Sequence, residues 1–312
     1  MNHDFSSAVV ISPEVQSALE SGSAVVALES TVLTHGLPYP DNLETAMGME
    51  EAVRQGDATP ATIAVLSGKI HVGLSTTQLE YLGCRPAHEL RKCSRRDLAI
   101  VLAQRGDGGT TVAGTMIIAH RAGIELFATG GIGGVHRGHP FDVSADLEEL
   151  GRTPVTVVCS GAKSILDLPA TMEVLETKGV PVIGYKTGEL PAFFARSSGL
   201  AVSSRIDTPA GVAAVVEARR SLGLQSGILV AAAVPSSEAF DADRAEAIIT
   251  QATLDAEARG ISGAAITPWL LRRVAELSGG ESVRANVALL RNNGRIAAEI
   301  AVALSGSRYE PT

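Results

Sequence analysis

Val155-Thr156-Val157-Val158-Cys159-Ser160-Gly161-Ala162-Lys163-Ser164 reads as a short apolar strand that runs into a glycine turn and delivers a lysine at its end. Further short runs of strand type stand at Leu126 to Ala128, Val180 to Ile183 and Ile228 to Ala232, and the apolar run Ala24 to Leu28 ends at Glu29. Helical patterns such as Thr111 to Arg121 and Pro209 to Leu222 separate them. Strands without polar alternation, each followed by a helix, predict a mostly parallel sheet covered by helices.

Working outward, Ser12-Pro13-Glu14 has the form of an N-cap followed by proline at the first helical position, with Gly22 closing the helix. Asp41 is placed to cap the next helix with Glu44 three residues on, and that helix is expected to run to Gly56. Ser67-Gly68 sits between Ile63 to Leu66 and Lys69 to Val72, which predicts a hairpin. The chain finishes with helical segments at Asp241 to Arg259, Thr267 to Leu277 and Ser282 to Leu304. There is no repeat, low-complexity segment or long connector, so residues 1–312 are expected to form a single domain.

Composition narrows the function. With 45% hydrophobic residues, 32 glycines and 4% aromatics, the chain has the make-up of an α/β enzyme core. A net charge of -8 argues against a general nucleic-acid surface, which needs a basic face, while leaving room for a local pocket that takes a small anion. Cys84, Cys93 and Cys159 show neither disulfide nor zinc spacing and are expected to be buried free thiols. The leading Met1 to Ser7 lacks a secretion signal, and the apolar stretch Ile228 to Val234 is too short to span a bilayer, so a cytoplasmic protein without membrane contact is expected.

Because ligands of α/β sheets sit at the carboxyl ends of strands, polar residues just after strand patterns are the first candidates. Glu29 is a candidate general acid; it could equally cap a helix or pair with an arginine. In Thr129-Gly130-Gly131-Ile132-Gly133-Gly134-Val135-His136-Arg137-Gly138, glycines after a strand let backbone N–H groups approach an anion, with Thr129, His136 and Arg137 as added donors. A tight turn would use the same glycines, and the spacing fits no dinucleotide or P-loop pattern. Asp142 and Asp146 could share a helix face, or divide into a loop ligand and a first-turn group; either could serve a hard cation or merely cap the helix Ser144 to Leu150. Lys163 enters an apolar setting, where an ammonium is costly unless neutralised or paired, and a neutral amine is a nucleophile; a surface loop lysine is the alternative. Lys92, near a capped helix start, could meet a phosphate or belong to a solvated basic cluster. Asn286, polar in an apolar helical pattern, could be a ligand group or a satisfied core amide.

These segments together resemble the pseudouridine-5'-phosphate glycosidase family, also called indigoidine synthase A-like. The likeness runs from ALESTVLTHGLPYP at Ala27 to Pro40 through PATIAVLSGKIHVGL, KCSRRD, TTVAGTM, FATGGIGGVHRG, SADL, CSGAKSILD, GVPVIGY and PAFFARSSG to NVALLRNN at Asn286 to Asn293. The resemblance implies a three-layer α/β/α sandwich with a mixed, mostly parallel central sheet, assembled as a homotrimer. It implies reversible cleavage of pseudouridine 5'-phosphate to uracil and ribose 5-phosphate through a lysine imine, with Glu29 as proton donor and Lys163 as nucleophile. Asp142 matches the holder of one Mn²⁺ per subunit, mostly hydrated. Lys92, Val112, Ser144, Ala145 and Asp146 match substrate-binding positions, and Thr129, His136 and Asn286 look like further pocket residues. The link His139-Pro140-Phe141 is shorter than the family pattern, which predicts a tighter metal-side loop. A separate pseudouridine kinase would have to supply the phosphorylated substrate, since the chain ends soon after its last helix. Two other readings remain open at this point: a nucleotide N-glycosidase without a covalent lysine, and a non-catalytic sensor of nucleotides or sugar phosphates.

Overall fold

The computed structural model describes residues 8–261 and 266–307; the leading Met1 to Ser7 read for a targeting signal falls outside them. In chain order the elements are β1 (Val9–Ile11), α1 (Pro13–Glu20), β2 (Val25–Leu28), a π-helical turn (Val32–Gly36), α2 (Asp41–Gln55), β3 (Thr59–Leu66), β4 (Lys69–Val72), α3 (Thr76–Gly83), β5 (Arg91–Cys93), α4 (Arg95–Ala103), β6 (Gly108–Thr110), α5 (Val112–Arg121) and β7 (Leu126–Ala128). They continue with β8 (Val135–His136), β9 (His139–Val143), α6 (Ala145–Leu150), β10 (Thr156–Cys159), β11 (Leu166–Asp167), α7 (Leu168–Thr177), β12 (Val182–Tyr185), β13 (Ser204–Ile206), α8 (Pro209–Ser221), β14 (Ile228–Ala232), α9 (Ala242–Ala258), α10 (Ile266–Leu277) and α11 (Glu281–Ser307).

The central sheet has 11 described strands, with the main path β1-β4-β3-β2-β7-β10-β14-β12-β13, while β6 and then β5 branch from β3. All pairs are parallel except β3 with β4 and β3 with β6, so the sheet is mixed and mostly parallel. Helix α11 lies against β2, β7 and β10 between α2 and α8; α5 contacts β2, β3 and β7 and sits in a row with α4 and α6. Strands β2, β7, β10 and β14 are buried throughout, which is why their sequences carry no polar alternation. Each fully buried side chain such as Phe127 or Leu28 contributes about 2–3 kcal/mol of transfer free energy.

Local signals explain most boundaries. Ser12 caps α1 through Val15 N–H, and Pro13 opens it. Ser67 and Gly68, both with positive φ, close the β3–β4 hairpin, a backbone that favours primed turns. Three expectations need correction. Asp41 does not cap α2: Pro40 holds that position without a side-chain bond, and Asp41 is the first helical residue, its charge at the positive end of the helix dipole. The strand expected at Val180 to Ile183 is shifted to Val182–Tyr185, because its pairing with β14 sets the register. Cys84 is exposed, whereas Cys93 and Cys159 are buried free thiols that desolvation pushes up to about 12. Among the described residues, no helix is long and apolar enough to cross a membrane.

One buried carboxylate, held by half-exposed arginines, fastens α4 to α6. Glu149 of α6, fully buried, accepts Nε and Nη2 of Arg95 of α4 at 2.8 and 2.6 Å, together with Thr153 and Arg152. Burial alone would raise its carboxyl, but these donors outweigh burial and hold it below the usual glutamate range. A carboxylate depressed in the folded state adds stability above its unfolded pKa and loses it as pH falls through the folded value. Glu149→Gln is therefore expected to lower stability by about 1–2 kcal/mol at pH 7, the size of losing hydrogen bonds to a charged group when the arginines left behind are half exposed. In thermal unfolding, the gap between variant and wild type should narrow below pH 4.5, the ordinary value of a glutamate carboxyl.

Candidate active site

Where β7 and β10 end, their pairing does not. Thr129 N–H donates to Val158 O at 3.0 Å, Ser160 N–H to Gly130 O at 2.9 Å, Ile132 N–H to Gly161 O at 3.1 Å and Lys163 N–H to Ile132 O at 3.1 Å. The parallel ladder therefore continues past both strands and registers the lysine turn against the glycine loop. Lys163, partly buried, turns its amine onto Gly131 O at 2.9 Å. Gly161 permits this turn with φ +81, and a Cβ there would run into Pro191 O.

One strand over, Glu29 closes β2. It is 8% exposed, so its environment is the protein's rather than bulk water. Its Oε1 accepts the Thr129 hydroxyl and its Oε2 the Thr31 hydroxyl. Among the described residues no arginine pairs with it, and Thr31, not Glu29, holds the N-cap position of the π-helical turn that follows, so neither structural alternative is seen. Behind it, Ser30 Oγ donates to Ile63 O at 2.6 Å and accepts Thr110 N–H at 2.9 Å, tying β2 to β3 and β6.

Lys92 reaches the same place from β5. Its side chain is exposed, yet desolvation by the surrounding protein, followed by the charge of Lys163, lowers its amine below the usual lysine range. Asp146 and Glu29 oppose that shift, so the charges of all three residues act on Lys92. His35, hydrogen-bonded to Thr34 at 2.7 Å, is lowered by burial and by Lys92. His136 is lowered by burial, with Asp142 acting in the opposite sense and His139 and Lys92 reinforcing the drop.

Asp146 and Asp142 take separate parts. Ser144 Oγ caps α6 by accepting Asp146 N–H at 3.2 Å. The buried Asp146 carboxylate accepts Ala113 N–H at 3.0 Å and Gly133 N–H at 2.9 Å, stapling the start of α5 to the glycine loop. Asp142 lies on β9 with an exposed side chain, so the two aspartates share no helix face. Ala145 is exposed and Val112, first residue of α5, is buried. Asn286 on α11 borders Gly130, its Oδ1 3.4 Å from where a Cβ would stand.

The glycine loop serves packing more than anion binding. Its amides at Ile132, Gly133 and Val135 are given to Gly161 O, Asp146 and Thr171 Oγ1. Side chains at Gly131, Gly133 and Gly134 would collide with Phe193, Ser144 and Thr171. Arg137 is likewise engaged: it donates to Leu166 O and Ser164 O at 3.1 Å each and grips Glu246 of α9 with both terminal nitrogens.

For a metal ion, the described residues hold no group of three or more His, Cys, Asp or Glu that could ligate it. Asp146 has both oxygens taken, leaving Asp142 as the hard oxygen donor at the mouth. That fits a hydrated cation held by one carboxylate and completed by water and ligand.

Thr31 and Asn293 were missed as site residues. Thr31 follows Glu29 by two, and nothing in sequence says that its hydroxyl turns back to the carboxylate. Asn293 left a signal: it lies seven residues after Asn286, on the same apolar helix face.

A mostly parallel sheet with a carboxyl group and an amine at the carboxyl ends of its strands has the layout of an α/β enzyme. Residues 14–303 match the family model described as indigoidine synthase A like protein, and the chain belongs to that family. Relatives named pseudouridine-5'-phosphate glycosidase include those of Methylobacterium nodulans, 53% identical over 95% of this chain and 88% of its own, and of Herpetosiphon aurantiacus, 55% identical over 95% and 98%. That of Escherichia coli K12 is 54% identical over 93% and 94%. Among solved structures, the prealnumycin C-glycosynthase AlnA in complex with ribulose 5-phosphate superposes with a TM-score of 0.89 at 40% identity, covering 97% of this chain and 99% of that one. An indigoidine synthase A-like protein from Thermotoga maritima gives 0.86 at 36%, covering 95% and 96%.

The electrostatic coupling is measurable without any substrate. Lys163→Met removes a like charge and should raise the Lys92 pKa, while Glu29→Gln removes an attractive one and should lower it further. Competitive amine labelling across pH, read by mass spectrometry at Lys92, checks both directions.

Proposed function

We propose that this protein reversibly cleaves the carbon–carbon glycosidic bond of pseudouridine 5'-phosphate, giving uracil and ribose 5-phosphate through an imine on Lys163. The observation that carries the reading is the placement of Glu29, clasped by two threonine hydroxyls, and of the Lys163 amine at the ends of β2 and β10, the two strands that flank β7. Relatives more than half identical over nearly their whole length bear that activity in their names, and a structural relative is a C-glycosynthase.

The bond joins ribose C1' to uracil C5, so there is no glycosidic heteroatom to protonate as in ordinary glycoside hydrolysis. Glu29 gives its proton to the ring oxygen while the Lys163 amine adds at C1', opening the sugar. The ammonium so formed returns a proton to the Glu29 carboxylate; the freed nitrogen lone pair then forms C=N as the C1'–C5 bond breaks, and the electron pair of that bond goes to uracil C5, which takes the proton from Glu29. Water adds to the imine carbon, the C–N bond breaks, and ribose 5-phosphate leaves as Lys163 is restored. Dividing one hard cleavage into addition, fragmentation and hydrolysis is what a covalent nucleophile contributes. The Thr129 and Thr31 hydroxyls orient the carboxyl, and the Gly131 carbonyl directs the amine.

Lys92 is assigned to the 5'-phosphate, with Val112, Ser144, Ala145, Asp146 and His136 around the sugar phosphate and Thr129 and Asn286 toward the base. Asp142 is assigned to a hydrated Mn²⁺, which supplies charge neutralisation beside the nucleotide. A homotrimer, and a separate kinase that phosphorylates the free nucleoside, complete the proposal.

Purified protein mixed with uracil, ribose 5-phosphate and Mn²⁺ is expected to form a C-linked nucleotide, detected by mass spectrometry. Borohydride should leave a reduced pentose-phosphate adduct on Lys163, and Lys163→Ala should abolish both signals. Glu29→Gln should lower kcat by about 10²–10⁴-fold, the range for removing a general acid. Turnover without a trappable adduct would favour an N-glycosidase-like route, and binding without turnover a sensor. Lys92→Ala should raise KM for ribose 5-phosphate with a smaller change in kcat.

A further inference from the structure

Asn293 lies on the inner face of α11, fully buried, with Leu289, Leu290, Ile296, Ala297 and Ile300 as buried apolar residues of the same helix. Its side-chain nitrogen donates to Thr129 O at 2.9 Å and to Ser160 Oγ at 3.1 Å, and the Ser160 hydroxyl stands 3.4 Å from Asn293 Oδ1. Thr129 is the residue whose hydroxyl holds Glu29, and Ser160 opens the turn that ends at Lys163. One amide thus bridges the two strand ends at the point where regular pairing gives way to the loops that carry the chemistry. A buried amide is costly to keep in an apolar face unless its bonds are made, and an aliphatic residue would pack there at no such cost.

We infer that Asn293 is a positioning residue: it fixes the end of β7 against the end of β10 and so sets the placement of the Glu29 carboxyl relative to the Lys163 amine. This rests on the function proposed above. The Phe193 N–H bond to Ser160 O at 3.1 Å steadies the same turn from the opposite side, so loss of Asn293 loosens the register without dissolving the site. Lys92 stands on β5 and is not touched by the bridge, so sugar-phosphate binding is separable from the chemical step.

Asn293→Ala is expected to lower kcat and the rate of borohydride-trappable adduct formation together, by about 10–100-fold, as misplacement of reacting groups by about 1 Å does. KM for ribose 5-phosphate should stay within about two-fold, since uniform binding is untouched. Ser160→Ala keeps the Thr129 link and should give a smaller loss; it also stands in should Asn293→Ala not fold. Ile296→Ala, three residues along the same helix and outside the hydrogen-bonded bridge, serves as the stability control and should keep kcat at temperatures where it is folded. Hydrogen exchange gives a readout independent of activity: in Asn293→Ala the amides of Ser160, Ile132 and Lys163 should exchange faster while those of β14 do not change. An unchanged kcat, a loss confined to KM, or an equal kcat loss in Ile296→Ala would overturn the inference. If the wild type fails to turn over uracil and ribose 5-phosphate, the proposed function falls instead, and hydrogen exchange alone then decides whether Asn293 sets the register.

Discussion

The structure depends on the parallel pairing of β7 with β10 and its continuation through Thr129 to Ile132 and Ser160 to Lys163. Hydrogen bonds that would end with the strands persist into the loops, so the segments holding Thr129 and Lys163 inherit the rigidity of the sheet. An amine placed by a free loop would sample many positions; one registered by backbone bonds on a buried sheet is held near a single one.

The requirements of that ladder extend outward. Its loops must approach closely, so glycines occupy positions where a Cβ would strike Phe193, Ser144, Thr171 or Pro191. Asp146 then uses both oxygens to bind the glycine loop to the start of α5, and Arg137 binds the β8–β9 hairpin to the lysine loop and α9. Charged residues that look like ligand groups in the sequence are thus partly consumed by the scaffold. What remains free for chemistry is a small set on separate strand ends: Glu29, Lys163 and Lys92, with Asp142 at the rim.

That set is electrostatically balanced. Lys92 responds to Lys163, to Glu29 and to the scaffold carboxylate Asp146. Its lowered proton affinity comes first from burial and then from Lys163, and the carboxylates keep the shift in check. An anionic sugar phosphate entering beside Lys92 would favour its charged form, linking occupancy of the site to the protonation of that amine.

The sequence by itself determined the layered α/β plan, because short apolar runs followed by capped helices bury themselves in few other ways. It also marked Glu29, Lys163 and the glycine loop as strand-end residues, since position after an apolar run is a local property. It could not assign the work of Asp146 or Arg137, whose acceptors and donors lie on elements tens of residues away, nor the small strands β5, β6, β8, β9 and β11, which are too short to leave a periodic pattern. Asn293 shows the division in a single residue. A polar side chain on an apolar face was legible, but its purpose required knowing that α11 crosses the ends of β7 and β10. Long-range hydrogen bonds exist only once packing has fixed the partners, and so only the tertiary structure decided which polar groups build the site and which remain to act in it.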